Sequence, residues 1–153
     1  MSERVLQAIR ERLGDVVQDI QVRSPRRIYV GVAPERLVEA ARCLFADLGG
    51  RYAIATGMQV EGGFEVLHHF AFDGDHVVVS LRVLADGHGP RLDSLAPLIK
   101  GAEFIEREMH DLLGIEFRGH PNLQRLILPE DWPDGVYPLR RDAAQDDGAR
   151  RQL

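Results

Sequence analysis

Hydrophobic positions in the first turns of the chain recur every three or four residues. Val5, Leu6, Ile9 and Leu13 fall on one side of a helix that Ser2 can cap and Gly14 can stop. The period then shortens. Val16 to Val22 and Arg27 to Val32 are β-branched stretches on either side of Ser24-Pro25, which predicts two strands around a turn. Pro34 suits the first turn of a second helix carrying Leu37, Ala41, Leu44 and Leu48 on one face, with Gly49-Gly50 as its end. Three more strands are predicted at Arg51 to Val60, Phe64 to Phe72 and His76 to Leu84. The links Glu61-Gly62-Gly63 and Asp73-Gly74-Asp75 are short and Gly-rich, so consecutive antiparallel pairing is expected. In the last strand Val77, Val79, Leu81 and Val83 share one face while His76, Ser80 and Arg82 share the other, which predicts one core face and one partly polar face.

After a loop through Gly87, Gly89 and Pro90, the stretch from Ser94 to Leu113 reads as a short and a longer helix broken near Lys100-Gly101. Ile105, Met109, Leu112 and Leu113 form its apolar stripe, and Gly114 ends it. A run of strands with helices before and after predicts an α+β fold, a largely antiparallel sheet with helices packed on one face. From Arg118 the character changes. Pro121, Pro129, Pro133 and Pro138 rule out a long helix or a central strand, yet Leu123, Leu126, Ile127, Leu128, Trp132 and Tyr137 are too apolar for a polar linker. The chain therefore divides into an α+β globular domain, residues 1–117, and an extended Pro-rich arm, residues 118–153. The arm lays its large side chains on another surface, its own domain's or a partner's.

With 153 residues, 44% of them hydrophobic and 28% charged, the composition is that of one ordinary globular domain. A formal net charge of -5 with dispersed basic residues argues against nucleic acid as a partner. No apolar run approaches the ~20 residues that span a bilayer, and the amphipathic, charged N-terminus is unlike a signal peptide, so no direct membrane insertion is expected. Cys43 is the single cysteine; it lies among Ala41, Leu44 and Phe45 and reads as a packed thiol that can form neither a disulfide nor a zinc or iron–sulfur site alone. His68 and His69 are strand neighbours aimed at opposite faces, and no His-x-x-x-His pair, phosphate loop or nucleophile elbow occurs. Neither a metal, nor a cofactor, nor a catalytic residue is expected in this chain.

The densest local pattern is Glu106-Arg107-Glu108-Met109-His110-Asp111-Leu112-Leu113-Gly114. Glu103 and Arg107, then Arg107 and Asp111, are four apart, which suits ion pairs on a solvated helical face, and Glu106 with His110 has the same spacing. Continued through His120-Pro121, Arg125, Pro129-Glu130-Asp131-Trp132 and Tyr137-Pro138-Leu139-Arg140, the order and spacing resemble the signature of the 30 kDa (C-type) subunit family of respiratory complex I. The resemblance implies an α+β domain with a C-terminal segment that wraps the neighbouring 49 kDa-type (D-like) large subunit, beside an iron–sulfur subunit. It implies a cofactor-free, non-catalytic, peripheral subunit on the cytoplasmic side of the membrane, in a complex passing electrons from NADH to quinone with proton translocation. Glu106, Arg107, Glu108, Asp111, His120, Pro121, Arg125, Trp132, Tyr137, Pro138 and Arg140 are the interface residues it implies, with Trp132 and Tyr137 as aromatic anchors. His110, Leu113 and Gln124 depart from the complex I pattern, where an aromatic pair and a basic residue are usual. The run from Trp132 to Arg140 looks more like the homologous subunits of membrane-bound nickel–iron hydrogenases and formate hydrogenlyase-type complexes, which stand as an alternative parent. A further alternative is a free-standing small-molecule-binding α+β domain with a pocket near His68, His76 and Arg82.

Overall fold

The computed structural model describes residues 2–87 and 89–141. Its first helix, α1 (Ser2–Leu13), buries Val5, Ile9 and Leu13, while Leu6 is only partly covered. Strands β1 (Val17–Ser24) and β2 (Arg27–Val32) form the first antiparallel hairpin. Pro34 opens a single 3-10 turn ahead of α2 (Leu37–Arg42), which runs on as a π-helical turn over Cys43–Asp47. Leu37, Ala41 and Leu44 face the core, Leu48 is partly covered, and Cys43 is buried as expected.

Strands β3 (Arg51–Val60), β4 (Gly63–Phe72) and β5 (Val77–Asp86) form an antiparallel meander. The sheet order is β1-β2-β5-β4-β3, and β2 and β5 run parallel. Consecutive pairing therefore holds within each run of strands. Between the runs, α2 carries the chain to the far edge and the meander brings β5 back beside β2. The two strands at this junction face the core with uninterrupted apolar rows, Ile28, Val30 and Val32 beside Val79, Leu81 and Val83, the composition expected of a buried parallel pair.

Register places Phe64, Val66, His68, Phe70 and Phe72 of β4 opposite the buried row of β5. The helices lie on this face. The other side of the sheet carries Ile54, Met58 and Leu84 at 39–50% exposure. This is the predicted α+β arrangement, with the parallel junction making the sheet mixed.

Helix α3 (Ala102–Leu113) packs against β3 where Gly57 leaves room: a Cβ there would stand 2.9 Å from both Leu113 Cδ1 and Met109 Sδ. Two three-residue strands, β6 (Arg91–Asp93) and β7 (Glu116–Arg118), form a separate parallel ribbon. Periodicity cannot reveal strands so short. The short helix expected from Ser94 is instead a set of turns, in which the Leu98 and Ile99 N–H groups both donate to the Leu95 carbonyl. Pro97 has no N–H to offer a helix, and the Leu95 N–H is taken by the Glu106 carboxylate. Among the described residues, every buried hydrophobic side chain lies between Val5 and Phe117.

Candidate functional site

Residues 118–141 return along α3, and polar side chains of that helix hold them there. Asp111 is 3% exposed, and its Oδ2 accepts from three successive backbone N–H groups, Leu126 and Ile127 at 2.8 Å and Leu128 at 3.1 Å. Burial alone would raise the Asp111 pKa. The three backbone donors and nearby His110 outweigh it, and the carboxyl is held below its ordinary range.

One turn earlier, Arg107 donates from Nε to the Gln124 carbonyl and from Nη2 to the Arg125 carbonyl, both at 2.9 Å, and lies 5.7 Å from the centre of the Phe104 ring. The ion pairs expected between Arg107 and Glu103 or Asp111 are not formed. Arg107 turns to two carbonyls of the returning segment, and Asp111 to its N–H groups, because that backbone has no sheet to satisfy it. Arg125 continues the same logic, donating to the Pro129 and Glu130 carbonyls at 2.9 and 3.0 Å and to Asp134 at 2.7 Å.

Glu106 points the other way, into the core. It is fully buried and accepts from Ser94 Oγ at 2.5 Å and from the Leu95 N–H at 2.6 Å. Desolvation raises its pKa against these two bonds and the nearby His120 ring, whose Nε2 is 4.0 Å away. His120 donates from Nε2 to the Glu103 carbonyl at 2.9 Å and accepts the Asn122 N–H at Nδ1, also at 2.9 Å, which assigns the Nε2-protonated tautomer. His110 is bonded to the Ile115 carbonyl, and the expected contact with Glu106 does not form.

Gly114 ends α3 with φ +74°, and a Cβ there would come within 2.5 Å of Tyr137 and 2.6 Å of Arg140. That open space seats the end of the described chain. Leu139 N–H donates to the Leu112 carbonyl at 3.0 Å, and Arg140 Nε to the Leu113 carbonyl at 2.7 Å. The Arg140 guanidinium lies 4.5 Å from the Tyr137 ring centre and 4.9 Å from that of Phe64, distances suited to cation–π attraction. Trp132 is half-buried, with its indole N–H donating to the Val136 carbonyl at 2.9 Å. A cleft of about 120 Å³ lies between His110, Asp111, Arg125, Trp132 and Tyr137.

The structure thus brings together Arg107, Asp111, Arg125, Trp132, Tyr137 and Arg140 along one seam. It places Glu106 and His120 in a buried pair behind that seam. Glu108, Pro121 and Pro138 join neither group through a side-chain hydrogen bond, and the end of the predicted arm, from residue 142, lies outside the described residues. Sequence reasoning missed Ser94 as the partner of Glu106. It also missed the outward display of Phe104 and Leu139, each 60% exposed; Leu126 and Ile127, expected to lie on this domain or on a partner, face outward from the domain. Phe104 sits off the apolar stripe of its helix, a signal that could have marked it.

His68, His76 and Arg82 do not converge on one pocket; the cavity of about 420 Å³ beside Arg82 is lined instead by Asp19, Glu65 and Asp86 among others, without either histidine. His68 is on the core face and bonds Tyr52, Arg82 is on the open face and pairs with Asp19, and His76 precedes β5 in a left-handed turn with φ 55°. Among the described residues no group of three or more His, Cys, Asp or Glu side chains is placed to hold a metal ion, and no helix is long and apolar enough to cross a membrane.

Comparison with known proteins places the chain among respiratory subunits. Residues 30–148 match the family described as respiratory-chain NADH dehydrogenase, 30 Kd subunit. The sequence is 36% identical to the C-type subunit of NADH-quinone oxidoreductase from Roseiflexus sp. (strain RS-1), over 90% of this chain and 81% of that one. It is 30% identical to formate hydrogenlyase subunit 5 of Escherichia coli (strain K12), over 94% of this chain but 26% of that longer one. Among solved structures, a trypsin-resistant fragment (1–134) of Nqo5 superposes with a TM-score of 0.64 at 28% identity, covering 80% of this chain and 100% of the fragment.

Proposed function

This chain belongs to the family of the respiratory-chain NADH dehydrogenase 30 kDa subunit, and from that premise we propose that it is a cofactor-free, non-catalytic peripheral subunit of an NADH:quinone oxidoreductase. In this reading it holds the 49 kDa-type subunit in a fixed geometry beside a neighbouring iron–sulfur subunit, on the cytoplasmic side of the membrane. Electron transfer to quinone and proton translocation belong to the complex. The observation that carries the reading is the segment from Arg118 to Arg141. Its backbone is tied to α3 by the Arg107 and Asp111 side chains and by the Leu139 N–H, and its Arg140 side chain donates to the Leu113 carbonyl, yet Leu126, Ile127 and Leu139 remain exposed at its surface. A segment fixed to its own domain by these hydrogen bonds while apolar side chains face solvent suits a contact with another protein.

The test is purification of the tagged chain from membranes of its native host with mild detergent. The expected result is recovery of a 49 kDa-type subunit together with NADH-dependent quinone reduction. Recovery of the chain alone from both soluble and membrane fractions rejects the reading. A second parent, a hydrogenase or formate hydrogenlyase-type complex, is favoured by the match over 94% of the chain to formate hydrogenlyase subunit 5. Hydrogen evolution from a reduced viologen dye by the purified complex, without NADH oxidation, selects it.

A further inference from the structure

We infer that the free edge of β3 docks with the same edge of a second copy of this chain, so that in the isolated protein two five-stranded sheets join about a two-fold axis at Thr56. The inference is independent of the function proposed above. The sheet has two outer strands, and they are built differently. At one side β1 carries two register irregularities and the charged Asp19 and Arg23, devices that keep an edge from pairing with another chain. At the other side β3 runs from Arg51 to Val60, and after Arg51 it holds no charge and no proline. Its bulge lies at Ala53, near the start.

The outward row of β3 backbone groups has no strand to meet it. The two-residue turn Glu61-Gly62 closes on the pair Val60 and Gly63, and hydrogen-bonded pairs alternate along an antiparallel ladder from such a closing pair. Residues 54, 56, 58 and 60 therefore bond β4, while the N–H and carbonyl groups of Ala55, Gly57 and Gln59 point to the edge. Among the described residues no backbone group outside the sheet bonds them. A row of alternating donors and acceptors is matched along its length by another strand.

The sequence of the edge says which strand. Antiparallel pairing about Thr56 sets Ile54 opposite Met58 of the second copy, Met58 opposite its Ile54, and the two Thr56 side chains against each other. Ile54 and Met58 are 50% and 39% exposed on the open face, and the pairing joins them into one apolar strip across the junction. The hydrogen bonds agree with this register, because the outward-facing residue 55 meets the outward-facing residue 57. Charge completes the match. The bulge shortens the Arg51 end by one residue, which brings Arg51 opposite Val60 of the second copy and beside its Glu61. Arg51 is held only by the exposed Asp73, and among the described residues Glu61 has no basic partner within 4.0 Å. An Arg51–Glu61 pair thus forms at each end, whereas parallel pairing in register would set Arg51 against Arg51. Such a two-fold contact closes on itself, so association stops at two copies.

The test is sedimentation velocity on the full chain purified alone, at concentrations up to about 100 μM. Wild type is expected to shift from one chain to twice its 17.2 kDa mass as concentration rises. Thr56→Lys, which sets two like charges against each other at the axis, should stay monomeric over the same range. Arg51→Glu should weaken the dimer about tenfold, and combining it with Glu61→Arg should restore it. Under oxidised glutathione Thr56→Cys should give a disulfide-linked dimer, because non-hydrogen-bonded pairs bring side chains closest. Leu84→Cys, exposed on the same face, should not, and the native Cys43 is buried. Where Thr56→Lys melts far below wild type, the charge exchange decides alone. A wild-type chain that stays monomeric at every concentration overturns the inference. So does a dimer that both Thr56→Lys and Arg51→Glu leave unchanged, since its contact lies on another surface.

Discussion

His68 is 1% exposed on the core face of β4, with Nδ1 3.0 Å from the Tyr52 hydroxyl and Nε2 facing no hydrogen-bonding group among the described residues. Burial, with a smaller contribution from His69, pushes its pKa down to about 3. A depressed histidine is neutral in the folded state, so its contribution to stability is intact above the unfolded value of about 6.5 and is lost as pH falls from there towards the folded value. Wild-type protein should therefore lose about 1.4 kcal/mol of stability per pH unit below about 6.5 on this account. Urea midpoints at pH 7, 6 and 5 measure it, and His68→Leu should flatten the slope; an unchanged slope rejects the assignment.

Asp111 titrates in the same direction at lower pH. Its depressed carboxyl contributes stability above the unfolded value of about 3.9 and loses it as pH falls through the folded pKa. Asp111→Asn keeps an acceptor oxygen but removes the charge from three N–H bonds, and should destabilise by about 1–3 kcal/mol at pH 7. The gap in urea midpoint from wild type should hold between pH 7 and 5 and close in acid. A gap that persists to pH 2 would show that the charge is not what the bend requires.

At the scale of elements, the seam between α3 and the returning chain is joined almost wholly by side chain-to-backbone hydrogen bonds. The amides of Leu126, Ile127 and Leu128 should therefore exchange slowly although the Leu126 and Ile127 side chains are exposed, and Asp111→Ala should make all three exchange fast. Gly114 is the other joint. Alanine there meets both a positive φ and the Tyr137 and Arg140 side chains within 2.7 Å, so Gly114→Ala should cost about 1–3 kcal/mol. The same substitution should loosen the Leu139–Leu112 bond, read as faster exchange of the Leu139 amide. Protection at residues 126–128 should remain, because Asp111 lies a turn away. Loss at both places together would mean the seam is one cooperative unit.

At the scale of the whole molecule, the buried hydrophobic residues among those described are complete by Phe117, with Leu123 packed against them only in part. A chain ending at Gly119 should therefore unfold in one cooperative transition. Its midpoint should be lower than that of the full chain, because Asp111 loses its three donors and Glu103 its His120 contact. It should also recover no large subunit. A truncated chain that never folds would place residues 120–141 in the folding core, and one that still binds normally would place the contact elsewhere.

Much of this protein was already legible in its sequence. The positions of α1, α3 and β1 to β5 followed from period two and period three-to-four spacing, though not β6, β7 or the turns after Ser94, and the core face of β5 followed from the alternation of Val77, Val79, Leu81 and Val83. Membership of the family was readable in the run from Glu106 to Arg140. These are local or linear properties, carried by residues close together in the chain. Tertiary structure decided what depends on long separations. It set β2 beside β5, which no turn specifies, and matched Ser94 to Glu106, whose pairing spans a loop. It also turned Arg107 and Asp111 from expected partners of one another into clamps on residues 124–128. Helical spacing brings two charges within reach of each other, but a backbone that returns with unsatisfied N–H and carbonyl groups competes for them. At this helix the returning backbone took both, because an exposed ion pair stabilises by only about 0.2–0.5 kcal/mol while a backbone group left unpaired under packing costs about 1–3 kcal/mol.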